Sequence, residues 1–370
     1  MPNPSTKPRI LLATPEVAIV PESSGNHTYC IGACSGRFGD FPVELINDLS
    51  NMGVDIHVAQ PDYRKLFEML SRNKQANPSI KLPIDRVHLA EDRAFFYSKS
   101  IKSNYEGENI KISLIFQREV INQMIPRVQP DLIHCHDWMT GLIPAAAKQY
   151  EIPCLFTVRN ADSAKCLLSC VEDKGIDAAA FWTHLFYERF PGGYEDTRNS
   201  NPLDLLLSGI LAARHVSTSS FTLMSEIFES RSKFYHSPLR QLLAQKWNAG
   251  CVCTITGSSN PICNPGGHEK LHDGCWPSDL KAGKQKKNYV IRHYPFTFDD
   301  RSAAQRYVDL YETILQRPLV APESKKAPQL MKKSHTRIPD GQAIPFQKAR
   351  STQSDRNPHK RISTPAMAPI

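Results

Sequence analysis

The chain has 370 residues, of which 41% are hydrophobic and 22% are charged. These are globular values, and the length suffices for two ordinary domains with sizeable cores, so a disordered or fibrous protein is excluded. The net charge of +8 does not indicate nucleic-acid binding, because residues 321–370 hold ten Lys and Arg against three acidic residues and leave residues 1–320 almost neutral.

The N-terminus, the apolar stretches and the cysteines bear on cellular location. The chain starts without the apolar run of a signal peptide, and no apolar stretch reaches the length of a membrane span. Ten cysteines in such a chain are typical of reduced thiols. We therefore expect a cytoplasmic protein that binds neither nucleic acid nor membrane.

The first elements of the chain predict a Rossmann-like opening. Residues 9–16 form an apolar run that predicts a buried strand, and residues 36–40 hold two glycines in a predicted loop. A helix is predicted from residue 42, with Asp40 as its N-cap and Gly53 at its C-terminus, followed by a strand at residues 54–58. A strand, a glycine loop, a helix and a strand are typical of a βαβ unit.

The rest of the chain continues this alternation up to about residue 220. A helix is predicted around the apolar positions 112–124, and two short apolar segments within residues 130–144 and 152–160 predict strands on either side of a helical run. Further elements are predicted at residues 181–187 (helix, aromatic), 205–213 (helix) and 215–218 (strand). Patterning fades over residues 250–280, and a helix capped by Asp299 and Asp300 follows a basic linker. The fold class is therefore α/β, with a Rossmann-like parallel sheet.

Polar residues stand where two neighbouring strands should end. His134, His136 and Asp137 follow the first of two short apolar segments, and Arg159 and Asn160 follow the second. In open parallel sheets the ligand crevice lies outside the carboxyl ends of the strands, so these side chains should face a common pocket. For His136, capping of the following helix is an alternative to ligand binding.

Other motifs are weaker. Gly36 and Gly39 could bring backbone N–H groups near a phosphate or sugar, although two glycines alone favour a simple tight turn. The aromatic residues at 181–187 could stack on sugars, but their density favours a core. A group of thiols and imidazoles lacks the paired spacing of zinc sites, so we expect no metal and no cofactor. This group comprises Cys251, Cys253, Cys263, His268, His272 and Cys275.

Two segments carry a family resemblance. Residues 130–144 read PDLIHCHDWMTGLIP and residues 152–160 read IPCLFTVRN. Both resemble the catalytic domain of bacterial glycogen synthases and plant starch synthases that use ADP-glucose. The resemblance implies the N-terminal half of a GT-B glycosyltransferase, which transfers glucose from ADP-glucose to an α-1,4-glucan with retention.

The resemblance also implies which residues form the site. Asp137 stands at a catalytic position, and His136, Trp138 and Asn160 keep the family pattern for substrate binding. Arg159 replaces the histidine that touches the transferred glucose, and it cannot accept a hydrogen bond.

The glycine loop departs from the family as well. The family has Lys-x-Gly-Gly-Leu there, with the lysine on the donor diphosphate and the glycines allowing the backbone to approach. Cys34 replaces that lysine, and Arg37 replaces the second glycine beside Gly36 and Gly39.

The domain organisation is predicted from the same resemblance. Residues 8–275 correspond to the N-terminal catalytic-like domain and residues 289–320 to the family's returning C-terminal helix. Residues 276–288 are a linker where the donor-binding domain would stand, and residues 321–370 are a disordered basic tail.

We therefore expect a synthase-like pseudoenzyme that is catalytically impaired on its own. Its expected partner is an α-glucan acceptor, with ADP-glucose bound weakly or not at all. The alternatives are a non-catalytic glucan-binding or regulatory module, and one half of a split synthase completed by a separate donor-domain chain.

Overall fold

The structure, a computed structural model, describes residues 7–15, 17–21, 28–33, 36–64, 80–97, 106–219, 224, 237–255 and 301–319. All of them belong to one compact unit, Met1–Pro322. Cys34, the linker 276–288 and the tail 321–370 lie outside the described residues. The predicted domain boundaries therefore stay predictions.

The described residues form twelve strands. They are β1 Arg9–Ala13, β2 Val17–Pro21, β3 Thr28–Ala33, β4 Asp55–Pro61, β5 Ile80–Pro83, β6 Val87–Ala90, β7 Leu132–His136, β8 Cys154–Val158, β9 Lys165–Cys166, β10 Leu203–Asp204, β11 His215–Thr218 and β12 Val252–Thr254.

Seven of these strands form one parallel sheet in the order β12-β11-β8-β7-β1-β4-β6. The chain builds outward from β1 through β4 to β6, returns to β7 beside β1, and then builds outward on the other side. Strands β1, β7 and β8 are continuous apolar or buried runs because helices cover both faces of the sheet. The predicted α/β class with a Rossmann-like parallel sheet is confirmed.

Ten α-helices surround the sheet in the described part of the chain. They are α1 Gly36–Asn51, α2 Arg93–Phe96, α3 Glu106–Glu119, α4 Ile125–Val128, α5 Ile143–Ala147, α6 Leu168–Glu172, α7 Tyr194–Arg198, α8 Leu205–Ala212, α9 Ser237–Asn248 and α10 Ala303–Leu315. A π-helical turn, Val120–Met124, joins α3 to α4, which confirms the helix predicted at residues 112–124.

The core divides into two layers, one on each face of the sheet. Alternate strand residues point to opposite faces, so Ile10 and Leu12 of β1 belong to one layer and Leu11 to the other. Helices α1 and α10 complete the first layer, and α3, α5, α8 and α9 complete the second.

Helix α1 ends as predicted but begins earlier than predicted. Gly53 has φ 77°, its N–H bonds to Ser50 O at 2.9 Å, and the N–H of Val54 bonds to Leu49 O at 3.0 Å. This pair of bonds is the Schellman arrangement, in which glycine supplies the left-handed residue. The predicted N-cap at Asp40 is wrong, because the helix already begins at Gly36 and Asp40 lies inside it.

Three other predictions need correction. Strands β2, β3 and β5 form an antiparallel sheet that the sequence did not indicate, since their apolar runs are short and broken by Pro and Gly. The predicted helix at residues 181–187 contains only a 3₁₀ turn, Trp182–His184. Strand β12 lies where no pattern was predicted, because three half-buried residues give no periodicity.

Helix α10 closes the sheet face on which α1 lies. Ser302 is its N-cap and accepts from the N–H of Gln305, in place of the predicted aspartates, which lie outside the described residues. Its apolar stripe packs against residues of β1, β4 and β7. This stripe comprises Ala304, Tyr307, Val308, Tyr311 and Ile314.

A candidate sugar site at the carboxyl ends of the strands

The candidate site lies where the direction of strand order reverses, between β1 and β7. Cys135 of β7 pairs with Ala13 of β1, and His136 pairs with Thr157 of β8. Ligands of open α/β sheets bind outside the strand ends at such a switch point. The residues that follow β7 and β8 therefore stand at the position where a ligand is expected.

Asp137 lies immediately after β7 and has a backbone with positive φ. Its φ of 58° and ψ of 179° are rare for a residue with a side chain. Its N–H donates to Thr157 O at 3.0 Å, and the Thr140 hydroxyl lies 3.0 Å from His136 O and 2.9 Å from Asp137 O. These bonds hold the bend that aims the carboxylate at the end of β8.

The Asp137 carboxylate is engaged by Arg159 through both oxygens. Oδ1 accepts from the backbone N–H of Arg159 at 2.8 Å, and Oδ2 accepts from its Nε at 2.9 Å. The side chains of Arg159 and Asp137 are only 3% and 8% exposed. Burial lowers the pKa of Arg159 to about 10, so the guanidinium stays charged at neutral pH and the contact is a buried ion pair.

His136 differs from its neighbours because its ring has no polar contact. The residue is fully buried, and neither Nδ1 nor Nε2 has a hydrogen-bond partner among the described residues. Burial lowers its pKa to about 3, so the ring is a neutral imidazole with one donor and one acceptor. Buried polar groups are normally paired, so this ring is a candidate for contact with a ligand.

The remaining predicted residues occupy less direct positions. Trp138 is buried in the core layer that contains α3, and the side chain of Asn160 bonds to the side chain and backbone of Asp162. Gly36, Arg37 and Gly39 lie in the first turns of α1, and Cys34 lies outside the described residues. The structure thus brings His136, Asp137 and Arg159 together.

His134, expected to follow its strand and to face the pocket, lies instead inside β7, fully buried, with its ring bonded to Tyr311 on the α10 side of the sheet. Sequence reasoning did not select the other polar residues on that side. His134, Thr157 and Ser217 follow one another on β7, β8 and β11 and contact two tyrosines of α10. The signal available was the spacing of His134 and His136, because residues two apart on a strand share a face.

Metal and membrane features are not found in the described part of the chain. Across those residues, no group of three or more His, Cys, Asp or Glu is arranged to hold a metal ion, and Cys251 and Cys253 carry free thiols. The other residues of the weighed zinc group, from Cys263 onward, lie outside the described ranges. No described helix is long and apolar enough to cross a bilayer.

Comparison with known proteins identifies similar sequences. The family of starch synthase catalytic domains matches residues 27–245. Glycogen synthase 2 of Geobacter metallireducens is 27% identical over 228 residues, which are 53% of this chain and 44% of that protein. The glycogen synthase of Bacillus cytotoxicus is 22% identical over 293 residues, 70% of this chain and 56% of that protein.

A solved structure adds a comparison at the level of the backbone. The catalytic domain of starch synthase IV from Arabidopsis thaliana, bound to ADP and acarbose, superimposes with a TM-score of 0.48 at 15% identity, over 71% of this chain and 54% of that one.

These matches fix the family and its limits. The chain spans about a third to a little over a half of the length of the curated relatives described, from 32% for the glycogen synthase of Fusobacterium nucleatum to 56% for that of Bacillus cytotoxicus. The family match itself covers more than half of this chain. The chain belongs to the family of starch synthase catalytic domains.

Proposed function

We propose that this chain is a degenerate glycogen/starch synthase catalytic domain. It binds an α-glucan at the carboxyl ends of β7 and β8 and does not, by itself, transfer glucose from ADP-glucose. The observation that carries this proposal is the contact between Asp137 and Arg159, in which both carboxylate oxygens are used.

The loss of transfer follows from the chemistry of this contact. A carboxylate offers about four acceptor positions, and the buried guanidinium and the backbone N–H of Arg159 occupy one on each oxygen, which leaves fewer for a sugar hydroxyl or a reacting centre. Arg159 stands where the family has a histidine, and its fixed positive charge opposes a positively charged, oxocarbenium-like transition state. The family resemblance places Cys34 and Arg37 at the donor loop, where they weaken binding of the ADP-glucose diphosphate. This weaker binding also opposes glucose transfer.

Retained glucan binding is supported by His136. Its unpartnered donor and acceptor are the pair that a sugar hydroxyl can satisfy, since a hydroxyl both donates and accepts. Binding by one wall of a cleft should be weak, because a ligand that is half exposed loses little water. Completion of the cleft by a separate donor-domain chain remains a prediction from the sequence.

The test is an assay of glucose incorporation into glycogen from labelled ADP-glucose. A bacterial glycogen synthase serves as positive control, and Asp137→Asn of this chain serves to separate its own activity from contamination. The expected result is no incorporation by the wild type above the Asp137→Asn background. Incorporation by the wild type that Asp137→Asn abolishes would overturn the proposal.

A further inference from the structure

A chain of buried polar side chains crosses the sheet beneath the candidate site. Its members come from three adjacent strands and from α10, and each is fully buried. They are His134 of β7, Thr157 of β8, Ser217 of β11, and Tyr307 and Tyr311 of α10.

His134 is bonded through both ring nitrogens. Nδ1 lies 2.7 Å from the hydroxyl of Tyr311, and Nε2 lies 2.6 Å from Oγ1 of Thr157. Burial holds the pKa of His134 well below its usual value, so the ring is neutral and one nitrogen donates while the other accepts. The plane of this ring is therefore fixed from both sides.

The hydroxyl of Thr157 extends the chain of hydrogen bonds along the sheet. Its Oγ1 lies 2.6 Å from Oγ of Ser217, and that oxygen lies 3.5 Å from the hydroxyl of Tyr307. Each hydroxyl carries a single hydrogen, so a donor at one link sets the direction of the next link. The contacts begin and end on α10, one helical turn apart.

His136 packs directly on this fixed ring. The centroids of His134 and His136 are 4.5 Å apart with planes 69° apart, an edge-to-face contact. The terminal torsion of a histidine is broad in its preferences, and His136 has no hydrogen bond among the described residues to select a value. The His134 ring is thus a neighbour that restricts the direction in which the two nitrogens of His136 point.

We propose that Thr157 and Tyr311 are positioning residues that set the orientation of His136 through the His134 ring. Helix α10 then contributes to the site without touching a ligand, because its Tyr311 hydroxyl supplies one of the two bonds that hold His134. The consequence for glucan affinity rests on the function proposed above. The effect on the orientation of the two histidine rings does not depend on that function.

The most discriminating variants are at Thr157. Thr157→Val keeps the shape but removes the hydroxyl from Nε2 of His134, whereas Thr157→Ser keeps the hydroxyl and loses only a methyl group. A structural role based on packing is disturbed more by Ser, and a role based on hydrogen bonding is disturbed more by Val.

The first readout is the nitrogen and ring-proton NMR signals of the histidines in ¹⁵N-His-labelled full-length protein. In the wild type, we expect His134 to show one protonated and one unprotonated ring nitrogen. Thr157→Val should change the signals of both His134 and His136, and Thr157→Ser should retain the wild-type signals. Unchanged His136 signals in Thr157→Val would overturn the inference.

The second readout is the dissociation constant for maltoheptaose, measured by calorimetry. Thr157→Val and Tyr311→Phe should each weaken binding by about three- to tenfold, the range that one net hydrogen bond represents. Tyr187→Phe is the matched control, since Tyr187 is a buried tyrosine whose hydroxyl donates to Trp182 O at 2.9 Å outside this network. An equal loss of affinity in Tyr187→Phe would show a general packing effect and contradict the positioning role.

The two proposals fail in different ways. If the wild type does not bind maltoheptaose, the proposed glucan-binding function is contradicted, while the NMR comparison of Val and Ser at position 157 still decides the positioning role. If Thr157→Val does not fold, Tyr311→Phe takes its place in the NMR comparison, because it removes the partner of the opposite ring nitrogen of His134.

Discussion

At the scale of single residues, the ion pair between Arg159 and Asp137 is the feature on which the proposed loss of transfer depends. Both side chains are almost completely buried, and the Arg159 Nε lies 2.9 Å from Asp137 Oδ2. Removing one member of such a pair leaves a buried charge without its partner, whereas removing both avoids that penalty.

A double-mutant cycle tests this interpretation of the ion pair. Arg159→Leu and Asp137→Leu should each lower the free energy of unfolding by about 3–5 kcal/mol, and the double variant should lose clearly less than the sum. The measurement is urea unfolding of the four proteins. Strictly additive losses would mean that the two side chains do not stabilise one another.

A second residue cluster, at the amino ends of β4 and β6, has its proton positions fixed by geometry. Nη2 of Arg127 lies 2.9 Å from Nδ1 of His88, and Arg can only donate, so the proton of His88 is on Nε2. That nitrogen lies 2.9 Å from Nδ1 of His57, which must accept. With Nδ1 accepting, the proton of the neutral His57 ring is on Nε2, which lies 3.3 Å from Oδ1 of Asp55 and also 3.4 Å from Nη1 of Arg86, a second donor.

This arrangement excludes an added proton on either ring. Protonation of His88 would set an N–H against Arg127, and protonation of His57 would set an N–H against His88. Burial, together with the charges of Arg9 for His57 and Arg127 for His88, lowers both pKa values to about 4, while Asp85 acts on His57 in the opposite direction. Arg86 lies beside the pair and forms its own ion pair with Asp55.

The histidine pair predicts an acid-sensitive fold. The folded-state pKa values lie below the unfolded value of about 6.5, so stability is complete above that pH and is lost as the pH falls from about 6.5 to about 4. Each histidine should contribute no more than about 1 kcal/mol per pH unit after solvent screening. We expect the free energy of unfolding, measured with urea at pH 7, 6 and 5, to change less steeply with pH in a His57→Leu/His88→Leu variant than in the wild type. An equally steep change would contradict the neutral state assigned to the two rings.

At the scale of elements, the close packing of α8 on the sheet depends on glycine. A Cβ at Gly209 would lie 2.4 Å from the ring of Phe156, a buried residue of β8. By contrast, a Cβ at Gly107 of α3 would meet nothing within 4 Å. The two glycines thus have opposite steric surroundings.

Alanine substitutions at these glycines should have opposite effects. Gly209→Ala should destabilise by about 1–3 kcal/mol through overpacking against Phe156. Gly107→Ala should be neutral or stabilise by up to about 1 kcal/mol, because alanine has the higher helix propensity. Thermal unfolding of both variants checks this, and equal melting temperatures would contradict the packing described for α8.

The elements also show what the sequence can predict and what it cannot. Strands β7 and β8 are predictable because both are continuous buried runs, and Gly53 is predictable because a left-handed helix end favours glycine. The contact between Asp137 and Arg159 is not predictable, since it depends on the positive φ of Asp137, a residue type that usually avoids this region.

Contacts between residues far apart in the sequence also cannot be predicted from local sequence patterns. The bond from His134 to Tyr311 joins residues 177 positions apart, and periodicity describes only the face on which each residue lies. The helix at 303–315 could be predicted, but its polar contacts with three strands could not. The site is therefore predictable in its location and not in its internal bonding.

At the scale of the whole molecule, the described residues form one parallel sheet with the candidate site at its carboxyl edge. One parallel sheet carries the strand-end residues, and two core layers hold it rigid. His136 is fully buried, and neither of its ring nitrogens has a hydrogen-bond partner among the residues that the structure describes, which costs folding free energy. Replacing His136 should therefore leave the stability of the fold unchanged or higher while it removes glucan binding.

The substitution His136→Leu tests the central claim most directly. An apolar side chain of similar size removes two unsatisfied ring nitrogens, so the melting temperature should stay equal or rise. Calorimetry with maltoheptaose should detect weak binding by the wild type and none by His136→Leu. Wild-type affinity in a fully folded His136→Leu protein, or a wild type that binds no maltoheptaose, would contradict the claim that this strand-end site binds glucan.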